Sequence, residues 1–225
     1  MVSTASFPSL DSPVSDFSET LSKVRQDLYY CDSNFKQPRT KDLRANIHAA
    51  SYVYVAAAME KCVGSILVAV IGEISSASIS LNDLKVSLFA LVESSNFESL
   101  QQVRGLKMWK KREEIFSRLH QVSACSLSDA YIPLDGRTIR GDHLETIWQI
   151  FKFPGNPVPT PIHSMALRDL ADARNRVAHG EEKASSVAGE KSITDTLKMY
   201  TKIEEVVINL WNCSTQYLTD RDYLR

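Results

Sequence analysis

The stretch from Ala49 to Ile71 is apolar on nearly every side of a helix, and that decides what kind of fold can hold the rest of the chain. A helix with no polar face either crosses a bilayer or is walled in by other helices. Glu60 and Lys61 sit at its centre, and the uninterrupted run from Cys62 to Ile71 is far shorter than the roughly 20 residues of a bilayer span. The reading is therefore a buried central helix from Lys41 to about Ile74, with Thr40 placed to cap its start.

The remaining sequence must supply the walls, and its periodicity is helical almost throughout. Phe17, Leu21, Val24 and Leu28 form one face of a first helix, which Pro38 separates from the central one. A short helix is predicted over Leu81–Val92 and a longer one over Ser99–Val122, followed by a loop from Ser123 to Gly136 with Pro133 and Asp135-Gly136 as turn signals. Ile139 to Phe153 places Leu144, Ile147, Trp148 and Phe151 at core spacing. The prolines between Pro154 and Pro161 forbid a helix, and Ser164 is placed to cap the next one. That helix carries Leu167, Leu170, Ala173 and Val177 on its apolar face and ends at Gly180. Glu181–Lys191 reads as an exposed polar loop, and Ser192 to about Leu218 as the last helix. No stretch alternates over strand length, so the expected fold is an all-α, up-and-down bundle with additional flanking helices. Residues 1–15 are expected to be a flexible tail and residues 16–225 a single helical domain with its core at roughly 40–215.

Composition narrows the function more by exclusion. A formal charge of −1 rules out a strongly basic coat, so nucleic-acid contact must come from a local patch or from pairing two chains. Cys31, Cys62, Cys125 and Cys213 are too scattered for a zinc site or a disulfide framework and suit a reducing cytoplasm. Met1–Pro13 lacks the basic start and apolar run of a signal peptide. No phosphate-binding glycine loop, nucleophile elbow or facing pair of carboxylates is present, so neither a cofactor nor a metal is expected, nor a membrane. His48, His120, His143 and His163 have no partners at ligand spacing and read as structural or exposed.

The chemically pointed segment is Arg174-Asn175-Arg176-Val177-Ala178-His179. On a helix, Asn175 and His179 are i and i+4 and share a face, Arg176 and His179 are i and i+3, and Arg174 lies about 140° around from His179. An imidazole flanked by guanidinium groups suits phosphoryl chemistry on RNA, since imidazole moves the proton of a ribose 2′-hydroxyl and arginine grips phosphate. One helix supplies a single copy of each group, whereas two antiparallel copies would set two of each around one cleft. Against this stands the plainer reading of a helix-terminal cation pair facing the dipole. Glu60 is costly in an apolar helix unless paired, with Arg174 or His179 as functional partners and Lys61 or another arginine as the ordinary ones. The cluster from Lys107 to Arg112 offers Lys110 and Lys111 to an RNA backbone and Trp109 as a stacking surface, although Glu113-Glu114 follow directly and also suit a solvated face.

The run from Leu167 to Gly180 resembles the signature helix of HEPN domains: an Arg, a polar residue, a His a few positions on, and a Gly. Ala56–Val63, with its internal acid, resembles the first core helix of bacterial subfamilies, with the RiboL-PSP type or a neighbour as the nearest match. The resemblance implies a HEPN-type bundle that pairs as a homodimer through the helix from Ser164 to His179. It also implies a metal-independent endoribonuclease of toxin–antitoxin or antiviral-defence type, leaving a 2′,3′-cyclic phosphate and a 5′-hydroxyl. Arg174 would then position the phosphate, His179 act as acid or base, and Asn175 orient His179 or the substrate, with Arg176 as an RNA contact. RNA is the implied substrate, and an antitoxin or a defence-complex subunit the implied protein partner. The alternative is a non-catalytic HEPN-like module that binds RNA or protein.

Overall fold

The structure, a computed structural model, describes residues 6–120, 127, 132–134, 136, 138–180 and 182–225. Among these residues the elements in chain order are α1 (Pro8–Asn34), α2 (Lys41–Ser76), α3 (Phe89–Val92), α4 (Ser94–Leu100), α5 (Leu106–Ser117), α6 (Gly141–Phe151), α7 (Pro161–Ala178), α8 (Ala184–Gly189) and α9 (Ile193–Thr219). They include no strand, only an isolated antiparallel bridge between Leu84 and Leu224. The fold is all-α.

Four long helices make the bundle, and side-chain bonds between them give its directions. Ser9 Oγ donates to Glu73 at 2.8 Å and Arg44 pairs with Asp32, so the two ends of α1 meet opposite ends of α2 and the helices are antiparallel. Arg25 pairs with Glu204 at 2.9 Å and Trp211 Nε1 donates to Asp11 at 3.0 Å, which sets α9 antiparallel to α1 and hence parallel to α2. α7 runs against α9, anchored where His163 Nε2 meets Glu205 at 2.8 Å. The apolar helix predicted at the centre is there: α2 is walled by α1, α7, α8 and α9, with Met59, Val63, Ile66, Leu67 and Val70 fully enclosed. By length and composition α2 would also pass as a membrane span; half of its most apolar window is buried inside the bundle, while Tyr54 and Val68 stay exposed.

Several boundaries differ from the periodicity reading, each for a local reason. The expected tail to residue 15 is helical from Pro8, because proline fits the first turn without loss of a bond and Leu10 adds a fully buried member to the row at Phe17. Thr40 holds the N-cap position of α2 as expected but makes no side-chain capping bond; its hydroxyl donates back to the Gln37 carbonyl at 2.9 Å, at the end of a 3-10 turn. The helix predicted over Leu81–Val92 is two 3-10 turns followed by the four-residue α3. The one predicted from Ser99 onward is divided into α4 and α5 at Gly105, whose φ of 62° lies in the left-handed region that helix excludes and glycine tolerates. Most of the loop expected at Ser123–Gly136 lies outside the described residues.

α7 begins at Pro161 rather than at Ser164, since a proline that blocks a helix from before is well suited to its first position. The predicted polar loop after it contains α8, where Val187 and Ala188 are buried against the bundle. Ser192 caps α9 as its position suggests, accepting the Asp195 N–H at 3.0 Å. Cys31, Cys62 and Cys213 are free thiols, and burial pushes that of Cys62 up to about 12; Cys125 lies outside the described residues.

Candidate active site

α7 turns Ala166, Leu167, Leu170 and Ala171 into the bundle and leaves its last turn at the surface. The helix ends with Ala178. His179 follows as its C-cap, its N–H donating to the Asn175 carbonyl at 3.0 Å, and Gly180 turns the chain away at φ 65°. The His179 side chain is exposed, and among the described residues nothing hydrogen-bonds its ring.

The neighbouring residues are placed differently from one another. Arg174 is half-buried and donates from Nη1 to Asn175 Oδ1 at 3.2 Å, so Asn175 engages the arginine and not the imidazole. Arg176 is bound by two carboxylates: Glu182 takes Nε and Nη2, each at 2.6 Å, and Glu190 takes Nη1 at 2.8 Å and Nη2 as well. These bonds drive its already high pKa further up and fasten the end of α7 to the α8 segment. The cation expected as an RNA contact is thus neutralised within its own chain.

Glu60 reaches this region from the middle of α2. One of its oxygens, Oε1, is enclosed without a hydrogen-bond partner among the described residues. Burial raises its pKa, while Arg174, the Thr138 hydroxyl and His143 pull the other way. It forms an ion pair neither with Lys61 nor with Arg174 at contact distance, and its coupling to Arg174 acts through space.

The start of α6 joins the same region, which the sequence reading did not foresee. Arg140 pairs with Asp172 on α7 at 2.6 Å, and its N–H donates to His143 Nδ1 at 3.2 Å. His143, set aside in the sequence for want of a partner at ligand spacing, is brought near Glu60 by the tertiary fold. His163 and His48 are structural: His163 links Thr160 to Glu205, and His48 is bonded within the core. The side chain of His120 is outside the described set. Lys110 and Lys111 lie on α5, whose main neighbours are α4 and the turn at Arg118–His120, so one chain does not bring them to α7. No three of the described His, Cys, Asp and Glu residues cluster closely enough to hold a metal ion.

One contrast organises the site electrostatically. Arg140 pairs with Asp172, Arg168 approaches Asp169 at 3.9 Å, and Arg176 holds two glutamates. Arg174 has no carboxylate within 4 Å among the described residues, so its guanidinium keeps donors for an external anion. An available guanidinium and an unengaged imidazole at one helix end can bind a phosphate and move a proton beside it.

The sequence model of a family described as RiboL-PSP-HEPN matches residues 19–214, a span that runs from α1 to the last turns of α9 and takes in Glu60 and the whole of α7. No curated protein and no solved structure matches the chain.

Proposed function

Because the chain belongs to the RiboL-PSP-HEPN family, we propose that it is a metal-independent endoribonuclease whose working groups are Arg174 and His179. The observation that carries this reading is that Arg174 keeps a guanidinium free of carboxylates near the end of the helix that presents the unengaged imidazole, while Arg140 and Arg176 close by are held in ion pairs. In the reaction an imidazole takes the 2′-hydroxyl proton, the 2′-oxygen bonds to phosphorus, and the bond to the 5′-oxygen breaks. The leaving oxygen receives a proton, giving a 2′,3′-cyclic phosphate and a 5′-hydroxyl. Arg174 donates to the non-bridging oxygens as their charge grows. Asn175 holds Arg174 in place, and Glu60 adds a carboxylate behind it.

A single His179 cannot be base and acid at once, and a second copy of α7 supplies the other imidazole. The outward face of α7 suits such pairing, with Ile162 55% and Met165 53% exposed at its first turns. We place the activity in the cytoplasm, where free thiols stay reduced, and in a toxin or antiviral-defence setting with an antitoxin or complex subunit as its restraint.

The test is cleavage of mixed tRNA and mRNA in excess EDTA. Replacing His179 by Ala should lower the rate about 10²- to 10⁴-fold, and Arg174→Ala should lower it comparably, with cyclic-phosphate ends on the wild-type products. Equal cutting by all three proteins would reject the assignment. RNA binding without cutting would leave α7 as a binding and pairing surface.

A further inference from the structure

The His179 ring has no hydrogen bond of its own among the described residues, so its place relative to Arg174 depends on the backbone that carries it. That backbone is the least secure part of α7. The His179 N–H is held by the Asn175 carbonyl at 3.0 Å, and the Gly180 N–H by the Val177 carbonyl at 3.2 Å. Gly180 then turns into the left-handed region at φ 65°. A helix end closed by glycine frays unless the chain beyond it is tied down.

The bonds around Arg176 are that tie. Arg176 lies three residues before His179 and Glu182 three residues after it. The two bonds from Nε and Nη2 of Arg176 to Glu182, each 2.6 Å, therefore close a ring of chain with His179 at its middle. A bidentate pair fixes the orientation of the carboxylate as well as its distance. The guanidinium is fixed in turn from its other edge, where Glu190 accepts from Nη1 at 2.8 Å.

Glu190 stands on firm ground. It follows directly on α8, which Val187 and Ala188 seat in the bundle. Its neighbour Lys191 pairs with Asp169 at 2.9 Å, two turns before Arg176 on α7 and about 20° around from it. Support thus passes from the bundle to α8, to Glu190, to Arg176, to Glu182, and so to the turn that presents His179. All three guanidinium nitrogens of Arg176 are engaged in this chain, whereas Arg174 keeps its donors. One arginine holds, and the other is left to receive.

We infer that Arg176, Glu182 and Glu190 are positioning residues, a clamp that keeps the turn carrying His179 at a fixed place relative to Arg174. The inference rests on the RNA-cleaving reading of α7 and adds the residues that set its geometry in advance.

The experiment pairs RNA cleavage with amide hydrogen exchange in the full-length protein. Glu182→Ala should cut saturating RNA about 10- to 100-fold more slowly with KM raised less than about 2-fold, because a displaced imidazole costs rate and not binding. Glu182→Gln still accepts one bond and should fall between it and the wild type. The swapped pair Arg176→Glu/Glu182→Arg keeps an arginine between two carboxylates, and should cut at least about 5-fold faster than Arg176→Glu alone. The His179 and Gly180 amides should exchange about 10-fold faster in Glu182→Ala, with those of α9 unchanged. A full rate in Glu182→Ala would overturn the inference, and if KM also fell, the glutamates would only be masking Arg176 from RNA. A wild type that leaves RNA uncut, beside amides that respond as expected, would sink the nuclease reading and leave the clamp as the holder of this turn. Amides that do not respond would sink the clamp.

Discussion

Single side chains in this protein are set by what surrounds them more than by their type, and the five histidines make the point. His48 lies in the core, where Nε2 meets Thr196 Oγ1 at 2.8 Å and the Tyr52 hydroxyl at 3.2 Å. Burial, with Arg44 adding to it and Asp32 opposing, lowers its pKa to about 4. An unfolded histidine takes its proton near pH 6.5, so between about 6.5 and 4 the unfolded chain binds a proton that the fold refuses. Stability should therefore fall as pH drops through that window, by on the order of 3 kcal/mol at most. Urea midpoints of the wild type and His48→Gln from pH 7 to 4 check this, and the wild type should show the steeper loss. His179 is the opposite case, with an exposed ring that only the surface turn constrains. The Arg-to-His spacing was legible because it is local, and so was its place at a helix end. That Asn175 would bind Arg174, that two glutamates would neutralise Arg176, and that His143 would approach Glu60 were not, since each depends on residues brought together by the fold.

At the scale of elements, periodicity recovers helices whose buried face is wide and fails where one residue decides. α2, α7 and α9 were readable within a few residues because each buries a long apolar row. The tail before Phe17 was misread because one buried leucine among serines and prolines carries no period, and the α4–α5 division because Gly105 acts through its backbone alone. α8 was hidden because only Val187 and Ala188 face inward. The same backbone logic makes a prediction for α2. Gly72 sits inside the helix, and a Cβ built there meets no atom within 4 Å. Gly72→Ala should raise the unfolding free energy by about 0.5–1 kcal/mol through helix propensity and a less flexible unfolded chain. Chemical denaturation should show that gain, and a loss would mean that α2 tolerates no side chain at this point.

At the scale of the whole molecule, the bundle directs α7's final turn outward while its charged neighbours cancel one another. The proposed pairing of two copies is open to direct test. Met165→Glu sets a carboxylate on the exposed apolar turn and should convert a dimer into a monomer in light-scattering chromatography, with cutting lost alongside. A dimer that persists would place the second imidazole elsewhere. The clamp at Arg176 has a consequence of its own. It closes the chain between residues 176 and 190 as a disulfide would, yet its two glutamates are 41% and 54% exposed, where dissolved ions weaken such pairs. The loop behind His179 is fastened by something that salt can undo. How firmly the imidazole is presented is accordingly a property of the medium as well as of the fold.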